Sequence, residues 1–500
     1  MEAILNQGLL IGSILLFVSV IISKSSSRFG LPILIIFMLV GMFAGGEGPG
    51  GIEFENYELT HSLSLVAIVL IIFSGALDTK FDEIKPVARR GVLLSTLGVI
   101  LTAGLIGAFS YYIFKISLLK SLLLGAILSS TDAAAVFAAF KDRHSGFDRK
   151  LKGLLELESG SNDPMAYFLV TIFLGLVDKT ITYETLWVDL VLNIIVGLLG
   201  GYAFSKLFLK INNSINLDFQ GLYPALTMAF LFFTYAATTL LKGNGLLAVY
   251  LFGLIIANKK FVHKNALISF YDGIAWLSQI GLFILLGLLA IPSRLVSVWQ
   301  EGIWLSIFLI AIARPLIVYL LMVGGKYSLA QKFFASWAGL KGATPIVFAS
   351  FAATHLGREV YFIFDIVFFV VVFSAIVQGM TLKYFARKLN FLYPLSHDEH
   401  FPIDMETLER TKYGIREIRL KSGDDAIGKR IVDIKLINGT RVLFIKRGDF
   451  LIIPDGSQTF DEGDRVLVAT NEKGQLAEVE EILRNGSFFI EEPGDFEPVH

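Results

Sequence analysis

The sequence contains no cysteine, and only 17% of its 500 residues are charged. The first absence excludes disulfides, thiolate metal sites and redox switching. The second sets the chain apart from soluble domains, in which about one quarter of the residues are charged. The net charge of −1 argues against a nucleic-acid partner, because binding to phosphates needs a basic surface. No residue pattern suggests a bound cofactor.

What the chain has instead is apolar sequence, with 54% hydrophobic residues and 43 Phe. Long apolar stretches recur from Leu9 to about Tyr384, and they divide into thirteen candidate spans. A span needs about 20 residues, so the shorter stretches must be tilted, broken or buried by neighbours. The first stretch has no basic residue before Lys24 and no small-residue cleavage site after it, so we expect a retained helix and not a signal peptide.

Basic residues test this count, because cytoplasmic loops carry an excess of Lys and Arg. With the N-terminus outside, the inner loops hold clusters such as Lys80, Lys85, Arg89 and Arg90. The outer loops hold only a few scattered basic residues: Lys115, Lys120, Lys179, Lys242, Arg294 and Arg358. The distribution predicts thirteen spans with an outside N-terminus and a cytoplasmic C-terminus.

From about Phe391 the composition becomes that of a soluble domain. Short runs typical of strands, Ile415–Leu420, Val442–Ile445, Leu451–Ile453 and Val466–Ala469, are separated by turn residues and followed by a candidate helix at 475–484. We therefore predict three parts: a transmembrane domain at 1–390, a linker at 391–410 and a small α+β cytoplasmic module at 411–490.

The first polar feature inside an apolar stretch is Ser129-Ser130-Thr131-Asp132-Ala133-Ala134-Ala135, in the fifth candidate span. An Asp at mid-bilayer costs about 2.5–3.5 kcal/mol to insert, so it must face a cavity, pair or carry a proton. The hydroxyls and small residues around Asp132 favour an interrupted helix whose free backbone groups can meet an ion. The alternative is that Asp132 lies at the cytoplasmic end of the span and caps a helix.

The sixth candidate span holds three carboxylates, in Glu156-Leu157-Glu158-Ser159-Gly160-Ser161-Asn162-Asp163-Pro164. If charged and exposed to lipid, they would together cost on the order of 8–10 kcal/mol. Asn162 shares a helix face with Glu158, and Asp163 lies about 100° further round. Asn162 and Asp163 thus offer adjacent oxygen ligands, which Na⁺ and K⁺ prefer. Because burial disfavours the ionised form of a carboxyl group, Asp163 can take either a proton or a cation. The alternative is a surface loop at 141–164 with a helix that begins at Asp163-Pro164.

Two basic residues lie in late apolar stretches: Arg314 in Ala313-Arg314-Pro315, and Lys341 in Gly339-Leu340-Lys341-Gly342-Ala343-Thr344-Pro345. A guanidinium stays charged, so a buried Arg314 needs an acidic partner, and we predict a structural ion pair with Glu158. Gly and Pro around Lys341 predict a second broken helix, and paired interrupted segments indicate a transporter built from inverted repeats. Lys341 is either a counter-charge at the helix crossing or a residue whose ammonium reaches the membrane surface.

Thr131-Asp132 and Glu158-Ser159-Gly160-Ser161-Asn162-Asp163-Pro164 resemble the signatures of the NhaP-type exchangers, family one of the monovalent cation:proton antiporters. The sequences of these two segments are most similar to those of the bacterial potassium/proton antiporters of cell-volume regulation. The tail is similar to the TrkA-C (RCK-C) domain through Ile453-Pro454-Asp455-Gly456 and Glu462-Gly463-Asp464-Arg465-Val466. Two departures are Lys341, where relatives often have Arg, and Phe73-Ser74-Gly75-Ala76-Leu77, which matches loosely.

The resemblance implies a homodimer in the bacterial cytoplasmic membrane, crossed broken helices around Asp132 and Lys341, and elevator-like alternating access. It implies that Asp163 carries the cation or the proton, with Thr131, Asp132 and Asn162 beside it. In relatives an Asn–Asp pair goes with electroneutral exchange. The tail would be a regulatory module for a small ligand such as a nucleotide, and the biological roles would be pH homeostasis and cell-volume regulation.

We therefore expect an antiporter, not an enzyme, that exchanges cytoplasmic potassium, sodium or both for external protons through one shared carboxylate, Asp163. Its partners would be the lipid bilayer, monovalent cations, protons and a second copy of the chain. A sodium/proton antiporter with no potassium role is one alternative, since both ions take oxygen ligands. A cation channel gated by the C-terminal module and a proton-coupled carrier of organic solutes are more distant alternatives.

Overall fold

The computed structural model describes residues 2–29, 33–138, 140, 145–182, 184, 186–215, 217–259, 261–356, 361–394, 414–448, 450–472 and 474–486. The chain divides into two compact units, Met1–Tyr393 and Pro394–His500. The predicted linker at 391–410 lies outside the described residues after Pro394, and so do both ends of the predicted module at 411–490.

Helices make up almost all of the first unit. In lipid there is no water to pair with backbone groups, and a helix satisfies its backbone hydrogen bonds within one segment. Three of the long helices contain a short wider π turn, at Leu94–Gly98, Phe308–Ala313 and Ala375–Gly379. The helices of this unit are, in chain order, α1 (Glu2–Phe29), α2 (Ile33–Ala44), α3 (Tyr57–Asp78), α4 (Phe81–Ile84), α5 (Ala88–Leu93), α6 (Val99–Phe114), α7 (Leu118–Ser129), α8 (Ala133–Ala138), α9 (Arg149–Val177), α10 (Leu186–Ser214), α11 (Leu222–Leu240), α12 (Gly245–Ala257), α13 (Lys264–Leu289), α14 (Pro292–Ser297), α15 (Trp299–Ile307), α16 (Arg314–Leu321), α17 (Leu329–Trp337), α18 (Thr344–Leu356), α19 (Tyr361–Ser374) and α20 (Met380–Lys388). Two short strands, β1 (Ser145–Phe147) and β2 (Leu392–Pro394), pair with each other.

In the described residues, eight helical segments are long and apolar enough to cross a membrane, and four more apolar helices are shorter. The helix α9 is not among these twelve, although its 29 residues would reach across a bilayer. The prediction of a polytopic helical membrane protein is confirmed, whereas thirteen spans remains a prediction.

Two spans are interrupted, as the sequence predicted. Helix α7 ends at Ser129 and α8 begins at Ala133, so Ser130, Thr131 and Asp132 form the first break. Helix α17 ends at Trp337 and α18 begins at Thr344, which leaves 338–343 as the second break.

Helix α9 is continuous from Arg149 to Val177 with Pro164 inside it. It begins where it does because Asp148 Oδ1 accepts a hydrogen bond from the Leu151 N–H at 2.7 Å, which caps the first turn. The alternative of a surface loop up to Pro164 is therefore wrong. The segment with three carboxylates is helical, and its Glu158 is 1% exposed.

The second unit contains an antiparallel sheet in the order β3-β6-β4-β5, formed by β3 (Gly414–Arg419), β4 (Arg441–Arg447), β5 (Phe450–Ile452) and β6 (Arg465–Thr470). Among the described residues of this unit, the helix α21 (Gln475–Asn485) buries Val479 and Leu483 against the sheet. The predicted strands and helix of the tail are confirmed. The side chain of Asp464 is fully buried and accepts two hydrogen bonds from Arg447, at 2.9 and 2.8 Å.

Candidate ion-binding site

The carboxylate of Asp163 lies between the two helix breaks. Ser130, in the first break, donates its hydroxyl hydrogen bond to Oδ1, and Thr344, at the start of α18, donates to Oδ2 at 3.2 Å. In the described part of the chain, no Lys, Arg or His nitrogen lies within 4.0 Å of this carboxylate. Neutral hydroxyls from both broken helices thus hold an acidic group without neutralising its charge.

Asn162 supplies the second feature of the site. Its side chain is 1% exposed, and its Nδ2 donates to Thr131 Oγ1 at 2.5 Å. Its Oδ1 is buried and has no hydrogen-bond partner among the described residues. Leaving a buried acceptor unpaired costs roughly 1–3 kcal/mol. A bound cation or water beside Asp163 would remove that cost, so the donor set fits a monovalent cation.

The two breaks hold each other through backbone groups. The N–H of Asp132 donates to the carbonyl of Leu340 at 2.8 Å, and Lys341 Nζ donates to the carbonyl of Ser130 at 2.8 Å. The Asp132 N–H and the Ser130 carbonyl, both in the first break, therefore find hydrogen-bond partners in the second break. Lys341 is 3% exposed, so the alternative that its ammonium reaches the membrane surface is wrong.

One carboxylate oxygen of Asp132 accepts a hydrogen bond from the helix that follows the break. Its Oδ1 accepts from the Ala135 N–H at 3.0 Å, which caps α8. Asp132 therefore caps a helix, as the alternative proposed, but it does so at the break within the span and not at the cytoplasmic end of the span. The other oxygen faces Gly342, where an added Cβ would lie 2.1 Å from Oδ2. Only a glycine fits at that position.

Ser159 fastens the first break onto α9. Its hydroxyl accepts from the Ala133 N–H at 2.9 Å and donates to the Thr131 carbonyl at 3.0 Å. Asp163 lies one turn further along the same helix. The carboxylate and the break are thus positioned by a single rigid element.

The structure brings Glu158 and Arg314 together, with Oε1 and Nη2 2.5 Å apart and side chains only 2% and 6% exposed. Helix α16 begins at Arg314, which directly follows a π turn. Gly339 leaves room for the guanidinium, because an added Cβ there would lie 2.7 Å from Nε. The ammonium of Lys341 is not within 4.0 Å of Glu158, so the basic residue that pairs with this carboxylate is Arg314.

One face of α9 remains partly accessible from its first turns to the site. It carries Lys152, Glu156, Ser159 and Asp163, at steps of three or four residues. Lys152 Nζ lies 3.1 Å from a carboxylate oxygen of Glu83 and 3.4 Å from one of Glu156. These polar side chains therefore form one partly exposed face of α9 that ends at Asp163.

Sequence reasoning did not single out Ser130 or Thr344 as ligands of the carboxylate. Both adjoin a break, and Thr344 comes directly before Pro345, which is the only sequence signal that could have identified them. It also gave no role to Asp365 in the last span. That carboxylate lies 2.8 Å from Nη2 of Arg294, whose guanidinium packs over the ring of Tyr361 at 4.7 Å.

A carboxylate between two broken membrane helices, next to a buried amide oxygen that has no partner in the described residues, defines the class of ion-coupled secondary transporters. Residues 13–388 match the family described as sodium/hydrogen exchanger, transmembrane, and the chain belongs to this family. Residues 415–484 match the TrkA-C domain. The chain is a cation:proton antiporter of many membrane spans, and a transporter instead of an enzyme.

Named relatives agree with this assignment. The chain is 36% identical over 512 residues to the K(+)/H(+) antiporter NhaP2 of Shewanella sp. (strain MR-4), which covers 97% of this chain and 87% of that one. It is 34% identical over 476 residues to the K(+)/H(+) antiporter NhaP of Alkalimonas amylolytica, with 94% and 82% covered. Its fold is similar to that of the sodium proton antiporter MjNhaP1 from Methanocaldococcus jannaschii, with a TM-score of 0.66, 20% identity, and 76% and 100% covered.

Proposed function

We propose that this antiporter exchanges cytoplasmic potassium for external protons, one for one, and that Asp163 binds both in turn. The observation that carries the proposal is that two hydroxyls hold the Asp163 carboxylate and that the buried Oδ1 of Asn162 has no partner among the described residues. The names of the two relatives that match almost the whole chain favour potassium.

The coupling follows from competition at one carboxylate. Low-dielectric surroundings disfavour an ionised carboxyl group that has no counter-charge beside it, so Asp163 binds either a proton or a cation. When the cation is bound, Asn162 Oδ1 and the oxygens of Thr131 and Asp132 complete its ligands. Movement of the empty, charged site is disfavoured by the low dielectric around it. Each crossing therefore carries one occupant, and the exchange is electroneutral.

Other residues hold the site together. The Glu158–Arg314 pair stabilises the fold around α9, and Lys341 acts as the counter-charge where the broken helices cross. The site alternates between the two membrane faces by an elevator-like movement. The protein acts as a homodimer in the bacterial cytoplasmic membrane, with its N-terminus outside. The region 1–390 is the exchanger, and 411–490 is a cytoplasmic TrkA-C module that binds a regulatory ligand such as a nucleotide.

The test is cation-induced dequenching of a pH-sensitive dye in vesicles that contain the full chain. Asp163→Asn is expected to abolish the signal with potassium, sodium, lithium and rubidium. Asp272→Asn, which alters an exposed carboxylate on α13, is the matched control and should exchange like the parent. Exchange by Asp163→Asn would remove this residue from the mechanism.

The same vesicles decide between the ions. Potassium should give half-maximal exchange at a lower concentration than sodium. If sodium is exchanged and potassium is not, the sodium/proton alternative holds while the role of Asp163 stands. A channel would conduct the cation without obligatory proton counterflow. Repeating the assay without residues 405–500 measures what the C-terminal module regulates.

A further inference from the structure

A basic cleft opens beside the end of α10, away from the residues that surround Asp163. Its volume is about 460 Å³, and it is lined by Lys206, Leu209, Lys210, Asn213, Ser214 and Lys259. Sites for small ligands have volumes of roughly 300–1,000 Å³. Two segments distant in sequence build the cleft, since Lys259 follows α12 and the others belong to the last turns of α10.

The charge of the cleft is not neutralised by any of the described residues. In the described part of the chain, no carboxylate oxygen lies within 4.0 Å of the ammonium groups of Lys206, Lys210 or Lys259. The ammonium of Lys206 lies over the ring of Tyr202, 5.5 Å from its centre. Three like charges around one open cleft repel each other, and an anion bound between them removes that repulsion. Any ligand of this cleft is therefore expected to be anionic.

The surface next to the cleft indicates what else the ligand carries. Ile195, Leu199 and Tyr202 precede Lys206 at steps of three or four residues, so they share a helix face with the lysines of α10. They are 48%, 63% and 53% exposed. An apolar stripe thus runs from the middle of the spanning helix to the basic cleft, and Tyr202 is of the type enriched at the membrane–water interface.

We propose that this cleft binds the headgroup of an anionic phospholipid, whose acyl chain lies along the stripe of α10. Basic pockets between membrane helices on the cytoplasmic side are suited to such headgroups. The lysines hold the phosphate, and the Asn213 amide offers a neutral donor. A soluble phosphate would use the cleft but not the stripe. Bound lipid links α10 to the segment after α12 and so stabilises this part of the helix bundle.

The experiment is native mass spectrometry of the full chain, delipidated in detergent and then supplied with phosphatidylglycerol, phosphatidylcholine or inorganic phosphate. The parent should retain phosphatidylglycerol and release phosphatidylcholine. The triple variant K206Q/K210Q/K259Q should weaken retention on the order of 100-fold, since each charge near the membrane surface contributes about fivefold. The matched control K80Q/K85Q/R89Q removes three exposed basic residues elsewhere and should retain the lipid.

Two further variants keep the test decisive. K206R/K210R/K259R preserves the charges and should retain phosphatidylglycerol, and Lys210→Gln alone should weaken retention about fivefold if the triple variant does not fold. Equal retention by the parent and the glutamine variants would overturn the proposal, and so would equal loss in the control. Protection of the parent against thermal unfolding by inorganic phosphate, as strong as that by phosphatidylglycerol, would overturn the lipid assignment.

Discussion

The guanidinium of Arg314 lies 2.5 Å from the carboxylate of Glu158, and both side chains are almost completely buried. Helix α9, which carries Asp163, also carries this glutamate, so the ion pair fixes the helix that positions the site against α16. A buried pair of this kind adds little stability compared with apolar residues, but removing one partner leaves a buried charge uncompensated.

We expect Arg314→Ala to lower the free energy of unfolding by about 3–5 kcal/mol. Arg294→Ala is the matched control, because its partner Asp365 is buried but Arg294 is 26% exposed, so its loss should cost less. The measurement is the loss of monodisperse protein on heating in detergent. The double variant Glu158→Gln/Arg314→Met should recover part of the loss, and the ion preference should not change. A stable Arg314→Ala protein with a new ion preference would contradict the structural assignment.

The hydroxyl of Thr344 gives a second prediction. Thr344→Val removes a donor from the carboxylate of Asp163, and hydrogen bonds to charged groups contribute roughly 1.5–3 kcal/mol. We expect the cation concentration for half-maximal exchange to rise about tenfold or more. Thr344→Ser keeps the hydroxyl and should behave like the parent. An unchanged half-maximal concentration in Thr344→Val would show that this residue is not part of the site.

Close approach of the two breaks leads to a third prediction. Gly342→Ala would place a Cβ 2.1 Å from Asp132 Oδ2, whereas a Cβ at Gly281, within α13, meets no atom within 4 Å. Overpacking costs about 1–3 kcal/mol, so Gly342→Ala should lower the melting temperature and the exchange rate. Gly281→Ala should change neither for the worse. Equal behaviour of the two variants would mean that the breaks do not meet as described.

Glu47 leads to a prediction on pH. Its Oε2 accepts from the Ser293 N–H at 2.8 Å and its Oε1 from the Ser293 hydroxyl, and these bonds lower the pKa of Glu47 below its ordinary value of 4.5. A lowered pKa in the folded state means that the contact stabilises the fold above that ordinary value and is lost as the pH falls through the lowered one.

At pH 7 the backbone amides of 293–297 should therefore be protected from hydrogen exchange. Glu47→Gln should reduce that protection, because a neutral amide accepts more weakly than a carboxylate. Glu55→Gln alters an exposed glutamate of the same loop and should leave the protection unchanged. Equal protection in Glu47→Gln would contradict the role of this carboxylate.

The sequence alone was enough to predict both helix breaks and to single out Asp163 and Asn162 as candidates, because charged groups, Gly and Pro are conspicuous in apolar stretches. It also suggested Arg314 as the partner of Glu158, since few charges were available to pair. The hydroxyls of Ser130 and Thr344 could not be predicted in the same way. Ser and Thr are common in membrane helices, and these two reach Asp163 only because segments distant in sequence come together in the fold.

The contact between Lys341 and the Ser130 carbonyl could not be predicted either. We expected a counter-charge at the crossing, but every residue has a backbone carbonyl, so the sequence does not indicate which one accepts the hydrogen bond. The capping of α8 by Asp132 was weighed as an alternative to a break, whereas the structure has both features at once. Local pattern identified the unusual residues, and only the tertiary fold defined their partners.

The hydrogen bond from the Asp132 N–H to the Leu340 carbonyl joins main chain to main chain, so every residue type except proline can make it. Scanning by alanine would leave this cross-link intact, so any effect of Asp132→Ala would report the loss of the side chain and not of the cross-link. Only proline, or an ester in place of the amide, would expose how strongly the two interrupted helices are coupled and whether they travel as one body.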